Sequence, residues 1–550
     1  MEQQINSRIG KNLLDMLMFS MYPDAKIIYR EYVQNAFDSI RKAAQDKVLN
    51  KVKDGIVAIN IDPISRIVTI KDNGSGLSVD HALTVLTSIA DSQKDGIEQA
   101  GVYGIGRLVG AGYCEKLEFR TSAKGESSAS IISFDVIKTR KILDDKNDRR
   151  SATDVMDSIV SWDIIDEDAD KHYFEVILHK VKKDYPILLS EADIVEYLKE
   201  VAPIDYELPF KNNIMYPSIS EDENSDFEER QNELGIIKIS VNNQLDIRKR
   251  YGSKVIGTGD DIVGLQYFSL DDEIFGTLAW GWFAITKFSK AIPASDTNRC
   301  IRLRKLNIQV GEANYLNEFF DEARGNNYFY GEIHAVHENL RPNTSRAGLT
   351  PTVETNIFFK KLKEYFKELK VIYNLANKAK TAVRDITAAT AKIKQEGISE
   401  KERKEAQADL NTGKKKFESA TKSTVNKSSS QAAAAKILQL YQTDIETTSN
   451  DVPQSSDNNP KENNHSVESN SENQPTTSST PVNSAIQVHV TPTSLETTPQ
   501  DLFANLATKL PKEQVWIIRR IFKSLTDNCP KSQLPLIEDL KRMVIKDLEK

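Results

Sequence analysis

The amino-acid sequence predicts a mixed α/β protein: two α/β domains in succession, followed by a helical C-terminal region. Three observations point there. Over residues 1–185 the hydrophobic period switches repeatedly between helical and strand-like, the mark of a layered sheet-and-helix domain. A second α/β unit starts near Glu191 and runs to about residue 350, after which the pattern from Thr352 to about Thr448 is helical and charged with no strand signal. At 550 residues the chain also exceeds what one hydrophobic core supports.

The elements follow in order. Helices are expected near residues 10–20 and 25–47, then strands at Ile56–Ile61 and Ile67–Lys71. A helix-and-loop segment leads to Gly106, and strands at Lys116–Ser122, Ser130–Lys138 and Tyr173–Lys180 complete the first layer. In the second unit the acidic stretch Ser220–Glu233 reads as a surface loop. The longest apolar run, Ile274–Ile285, is rich in strand formers and too short to cross a bilayer. Asn450 to about Ser484 is dominated by Ser, Thr, Asn, Gln and Pro and has almost nothing to bury, so a disordered linker is expected over 449–497. Beyond it, Leu502–Leu510, Pro511–Thr526 and Gln533–Leu548 predict three short amphipathic helices, the second opened by its proline. The expected domains are therefore 1–185, 186–351, a helical region 352–448, the linker, and a small helical module 498–550.

Composition narrows the function classes. Lysine and arginine total 73 against 80 acidic residues, a net charge of −7, which argues against a protein whose main task is coating nucleic acid. Cys114, Cys300 and Cys529 are isolated and form no CxxC pair, so they read as reduced thiols in a reducing compartment. The N-terminal MEQQINSRIGKNLLDMLMF lacks a small-residue cleavage site and reads as a helix start. A cytoplasmic protein without a membrane span is expected.

Three stretches carry the chemistry. In YREYVQNAFDSIRKA (Tyr29–Ala43), a helix places Tyr29, Val33, Ala36, Phe37 and Ile40 on a core stripe. The opposite side carries Glu31, Asn35 and Asp38 within about 60° of one another. That side is either a solvated face or the wall of a site. KDNGSGLS (Lys71–Ser78) ends a strand in a carboxylate followed by Gly74 and Gly76. Asp72 there can accept a hydrogen bond from an exocyclic amine while the glycines let backbone approach, although DNG is also an ordinary turn. GVYGIGRLVGAG (Gly101–Gly112) sets Gly101, Gly104 and Gly106 before an apolar helical stretch, where free N–H groups can bind phosphate. It lacks the lysine of a P-loop and the preceding strand of a Rossmann turn.

The order and spacing of these stretches resemble the GHKL ATPases, the gyrase-type, histidine-kinase, mismatch-repair and chaperone ATP-binding (Bergerat) fold. The resemblance implies ATP as substrate, with Asn35 binding the Mg²⁺ that bridges its phosphates and Asp72 holding the adenine amine. It implies a phosphate-covering loop at Gly101, Val102, Tyr103, Gly104, Ile105 and Gly106, and Glu31 as the general base. REYVQNAFDSI resembles the RELISNASDAL of the heat shock protein 90 chaperones, including Arg30, Ala36 and Asp38. SIADSQK, Ser88–Lys94, resembles the family's IARSGTK at the base of the nucleotide lid, which brings Lys94 into the nucleotide set. CIRLRKLNIQV (Cys300–Val310) and LRPNTSRAGL (Leu340–Leu349) resemble that family's middle domain, of ribosomal-S5-like type. By that match Arg346 reaches the γ-phosphate, Asn343 shapes its loop, and Arg341 is the nearest rival.

The departures are specific. Phe174 in FEVILH stands where the family has a threonine beside the adenine, and no stretch after Arg346 resembles the chaperone's dimerisation domain. His334 and His337 are expected to be structural, and the basic runs RKRYGSK (Arg248–Lys254) and RLRK (Arg302–Lys305) to be solvated faces. The resemblance implies an ATP-hydrolysing, chaperone-like clamp that closes on nucleotide and associates as a homodimer, with a protein client or partner captured through the C-terminal helices. The alternatives are a GHKL clamp on nucleic acid, of microrchidia or mismatch-repair type, and a nucleotide-switched scaffold in a defence or stress system.

Overall fold

The computed structural model describes residues 9–20, 24–88, 106–220, 226–244, 246–421 and 428–450, with 518, 521, 522, 525 and 534–548. The chain divides into two compact units, Met1–Glu446 and Thr447–Lys550.

The first unit opens with helix α1 (Asn12–Asp15), which widens into a π turn at Met16–Ser20, and the long helix α2 (Ile27–Gln45). Strands β1 (Ile56–Asp62) and β2 (Ile67–Asp72) form a hairpin, followed by α3 (Val79–Thr87) and a 3₁₀ segment Gly106–Gly112. Then come β3 (Lys116–Ser122), β4 (Ser128–Asp135), α4 (Val136–Asp144), α5 (Ala152–Ile159), β5 (Val160–Asp166) and β6 (Tyr173–His179). The strand expected over Ser130–Lys138 ends at Asp135, because the Asp135 carboxylate accepts from the Lys138 amide and caps α4 instead.

The connector carries α6 (Glu191–Val201), α7 (Leu208–Phe210), α8 (Tyr216–Ser220) and α9 (Phe227–Glu233). The surface loop expected over Ser220–Glu233 is therefore helical in its second half. Phe227 is buried, its ring stacked 4.8 Å from Tyr267, and that apolar anchor outweighs the surrounding acidic residues. Strand β7 (Lys238–Val241) then pairs in parallel with β1, so the first sheet runs β5-β4-β3-β6-β2-β1-β7. The break expected at residue 185 does not coincide with an edge of this sheet, whose last strand comes from the sequence beyond it.

A second sheet is built from β8 (Gly264–Asp272), β9 (Gly276–Ile285), β10 (Cys300–Lys305), β11 (Ile308–Gln309) and β12 (Tyr330–Ala335), in the order β11-β10-β12-β9-β8. Helix α10 (Val353–Lys394) packs on it through Phe358, Leu362, Tyr365, Phe366 and Leu369, and α11 (Glu400–Thr421) and α12 (Ser428–Asn450) follow. In the second unit, helix α13 (Leu534–Leu548) buries Ile537 and Ile545. Helix α12 runs two residues into the expected linker; the rest of it, 451–497, and the helix at Leu502–Leu510 lie outside the described residues, as does nearly all of Pro511–Thr526. No described helix is long and apolar enough to cross a membrane.

Candidate nucleotide site

Helix α2 supplies the first wall. Tyr29, Val33, Ala36, Phe37 and Ile40 are buried in the core over the sheet, as the periodicity predicts. The other side is not a solvent face. Glu31 and Asp38 are each 6 % exposed, and Asn35 between them is half-buried. Charge is buried only where a partner compensates the lost hydration.

That partner comes from 315 residues away in the sequence. Arg346 Nε lies 3.1 Å from Glu31 Oε1, with both side chains 7 % exposed. Arg30 Nε stands 3.9 Å from the same oxygen, and Arg30 Nη2 donates to the Ser345 carbonyl at 3.5 Å. Glu31 is thus flanked by two guanidiniums, an excess of positive charge suited to a polyanion. Its other oxygen faces the end of the glycine cluster: a Cβ on Gly106 would sit 2.7 Å from Oε2.

The arginine is delivered by a self-bonded loop between β12 and α10. The Asn343 amide donates to the Gly348 carbonyl at 2.8 Å, and the Arg346 amide to the Asn343 carbonyl at 3.0 Å. The Ser345 hydroxyl donates to Asn343 Oδ1 at 3.2 Å. Arg346 itself has φ +55°, a left-handed conformation that costs a non-glycine residue about 1–2 kcal/mol and turns its side chain out of the loop. Arg341 is half-buried, and its guanidinium donates to Glu338 and Asn339 of its own loop.

Asp72 ends β2 and is 4 % exposed. Burial pushes its carboxyl up to about 7, against the Gly74 amide, 2.8 Å from Oδ1, and the Ser39 side chain, which both favour the ionised form. Gly76 has φ +64°, and a Cβ there would meet the Ser122 carbonyl oxygen at 1.9 Å, so this turn accepts only glycine. Asp72 pairs across to Phe174, whose ring packs 5.8 Å from Phe119 in place of a hydroxyl. A buried threonine does stand one strand over: Thr121, opposite Phe174 on β3, accepts from the Leu77 amide at 2.7 Å and donates to the Tyr173 carbonyl at 3.0 Å. The first of these bonds holds the loop that follows Asp72, and the second ties β3 to the start of β6.

Lys94, Gly101, Val102, Tyr103, Gly104 and Ile105 lie outside the described residues; Gly106 starts the 3₁₀ segment. Tyr32 ties that segment to α2, its hydroxyl donating to the Arg107 carbonyl at 3.1 Å and accepting from the Gly110 amide at 2.9 Å. Ser39, Thr121 and Tyr32 escaped sequence reasoning. Ser39, one turn beyond Asn35 on the same helix face, carried the only readable signal.

One basic run corrects an expectation and the other does so at a single residue: in RKRYGSK, Arg250 and Lys254 are exposed and only Lys249 among the charged residues is buried. Arg302, Arg304 and Lys305 are 3 %, 1 % and 7 % exposed, and Lys249 is fully buried. They are not a solvated face: Glu332, buried between them, takes Arg304 at 2.8 Å and Lys249 at 2.9 Å. His334 is buried and stacked on Trp280 at 4.5 Å, and no group of metal-ligating side chains occurs among the described residues.

Residues 26–162 match the family model described as histidine kinase-, DNA gyrase B-, and HSP90-like ATPase. Among curated proteins, the chain is 28 % identical over 140 residues to the chaperone protein HtpG of Mycolicibacterium vanbaalenii, which covers 22 % of each chain. It is 36 % identical over 88 residues to that of Salinispora tropica, covering 15 % of this chain and 14 % of the relative. Against that of Idiomarina loihiensis it is 29 % identical over 187 residues, 33 % of this chain and 28 % of the relative. The chain thus spans about a fifth of the length of the curated relatives it matches. With the Asp72 turn, the buried Glu31 and the mixed sheet beneath them, these matches make residues 26–162 a GHKL-type domain similar to those of the HSP90-like ATPases.

Proposed function

We propose that the protein is an ATP-hydrolysing, chaperone-like clamp in which the second α/β layer supplies a catalytic arginine to the first. The observation that carries this reading is the 3.1 Å approach of Arg346 to Glu31. Phosphoryl transfer to water needs little covalent help from protein; positioning and charge supply most of the rate. Glu31 holds and polarises the attacking water and accepts its proton as the water oxygen bonds the γ-phosphorus and the bond to ADP breaks. Arg346 then faces the charge that develops on the γ-phosphoryl oxygens, and Arg30 keeps a cation beside Glu31. Asp72 accepts from the adenine amine, and Gly74 and Gly76 let the ring edge come close.

The donor set also fits magnesium. The Asn35 amide oxygen, half-buried between two carboxylates on one helix face, is the kind of hard oxygen ligand that ion takes. When bound, magnesium neutralises phosphate charge. The burial and pairing of Arg302, Arg304 and Lys249 take these basic side chains away from contact with nucleic acid.

Nucleotide affinity and steady-state turnover on three variants test the reading. Asp72→Asn loses ATP binding, because an amide can present a donor to the adenine amine. Glu31→Ala binds ATP and turns over about 10²–10⁴ times more slowly. Arg346→Ala keeps its affinity and loses on the order of 10³ in rate. Normal turnover in Glu31→Ala would falsify the role given to α2. For the clamp itself, light scattering with a non-hydrolysed ATP analogue should show a dimer, and the protein with ATP should slow aggregation of a heat-unfolded reporter enzyme.

A further inference from the structure

Arg346 can serve a site on α2 only if its loop is held in place against that helix. Besides the Leu349 amide, which donates to the Tyr315 hydroxyl at 3.3 Å, the loop is tied toward the second sheet by the Gly311 amide, which donates to the Arg346 carbonyl at 2.8 Å. The bond acts on the arginine's own peptide, so any shift of Gly311 moves the side chain. Gly311 is held in turn by Gln309 on β11, whose Nε2 donates to the Gly311 carbonyl at 3.1 Å. The Gln309 Oε1 accepts from Arg302 Nη1 at 3.0 Å. The same Nη1 reaches across to α6 and donates to Glu200 Oε2 at 3.2 Å.

Helix α6 is also the neighbour of the catalytic helix. Its Tyr197 lies in the electrostatic field of Arg30 and Glu31, and the Lys26 ammonium stands 5.2 Å from the Tyr197 ring. A second bolt fixes the hairpin to the end of α6: Arg304 Nη2 donates to the Glu200 carbonyl at 2.8 Å. A closed circuit results, from Glu31 through Arg346, Gly311, Gln309, Arg302 and Glu200 to α6 and back to α2. Arg302 is 3 % exposed and Gln309 is buried, so the inner part of this route lies in a water-poor interior where a charged hydrogen bond is directional and strong, while the Glu200 end is 27 % exposed.

We propose that Glu200 and Arg302 are positioning residues for Arg346: they clamp the β10–β11 hairpin to α6 and so set where the arginine meets the catalytic helix. The proposal rests on the reading of Arg346 given above. Glu200 falls outside every stretch that carries the family resemblance, and Arg302 lies within one of them, Cys300–Val310. The requirement is geometric, since a displacement of about 1 Å at a transition-state contact can cost on the order of 10² in rate.

The test is a double-mutant cycle on the full chain, reading kcat, KM and ATP affinity, with a thermal melt on each variant. Glu200→Ala should lower kcat roughly 10–100-fold and leave ATP affinity within about twofold. Glu200→Gln keeps an oxygen for Arg302 and should recover most of that loss, which a purely electrostatic effect on Glu31 would not do. Added to Arg346→Ala, Glu200→Ala should cost nothing further, because the residue it positions is gone. Gln309→Ala breaks the same route one bond nearer the loop, should reproduce the kcat loss, and decides the matter if Glu200→Ala does not fold. Full activity in folded Glu200→Ala or Gln309→Ala beside a slow Arg346→Ala overturns the proposal and leaves the catalytic arginine standing. An equal loss in both backgrounds overturns it too. An Arg346→Ala variant with normal turnover instead overturns the function on which the proposal rests.

Discussion

Glu332→Gln is the change that most directly tests how the second sheet is held together. The Glu332 side chain is fully buried, with Oε1 2.8 Å from Arg304 Nε and Oε2 2.9 Å from Lys249 Nζ. Tyr206 donates to Oε2 at 2.6 Å and Tyr251 to Oε1 at 3.3 Å. Burial opposes ionisation of this carboxyl, but Arg304 and Lys249 outweigh it and hold it well below the usual carboxylate range. Glutamine keeps the shape and removes the charge, leaving two buried cations without their counter-ion. Breaking a buried pair costs about 3–5 kcal/mol. Arg304 cannot shed its proton, whereas burial has already pulled Lys249 down to about 7, so lysine is the partner that yields. The expected loss is therefore about 3–5 kcal/mol at pH 6 and less at pH 9, where a neutral Lys249 needs no counter-ion. The sign agrees with linkage. A lysine depressed in the folded state contributes stability present above its unfolded value, about 10.4, and lost as pH falls through about 7. Denaturant titration followed by tryptophan fluorescence is the assay, because Trp282 Nε1 donates to the Tyr206 hydroxyl at 3.3 Å beside the cluster. A loss under about 1 kcal/mol at pH 6 would refute the ionic account and show the cluster to be held by packing alone.

Other expectations are separately measurable. Adenine favours the ionised form of Asp72, so ATP should bind more tightly as pH rises through about 7, with proton release; calorimetry in two buffers of different ionisation enthalpy reads it directly. The same raised carboxyl contributes folding stability that is fully present below about pH 4 and is lost as pH rises through about 7. Gly76→Ala should lose nucleotide binding and about 2–4 kcal/mol of stability, because the added Cβ would sit 1.9 Å from the Ser122 carbonyl oxygen at a positive φ. Normal affinity in that variant would mean that the turn after Asp72 does not contact nucleotide. Cutting the chain near Asn450 should keep ATP binding and weaken self-association or partner capture. Equal masses for full-length and truncated protein by light scattering, with and without an ATP analogue, would exclude self-association through the C-terminal helices.

Local pattern recovered five of the seven strands of the first sheet, but not β5 (Val160–Asp166), β7 or the helices α4 and α5. The strands at Ile56, Ile67, Lys116 and Tyr173 begin at the residues that alternation marks, since a strand's pleat imposes period two on its own neighbours. The helix at Tyr29–Ala43 and its buried stripe follow from the 3.6-residue period in the same way. Its polar side could not be assigned from within. Whether Glu31 meets water or a guanidinium depends on Arg346, and no local period links residues 315 apart. The solvated-face reading of RLRK failed for the same reason. RLRK looks solvated until a parallel pairing puts Arg304 opposite His334 and Arg302 opposite Glu332, which places a carboxylate in their midst. Charge in a sequence declares what must be compensated; only the tertiary structure decides whether water or another residue does it, because desolvation is a property of the packed interior and not of the residue.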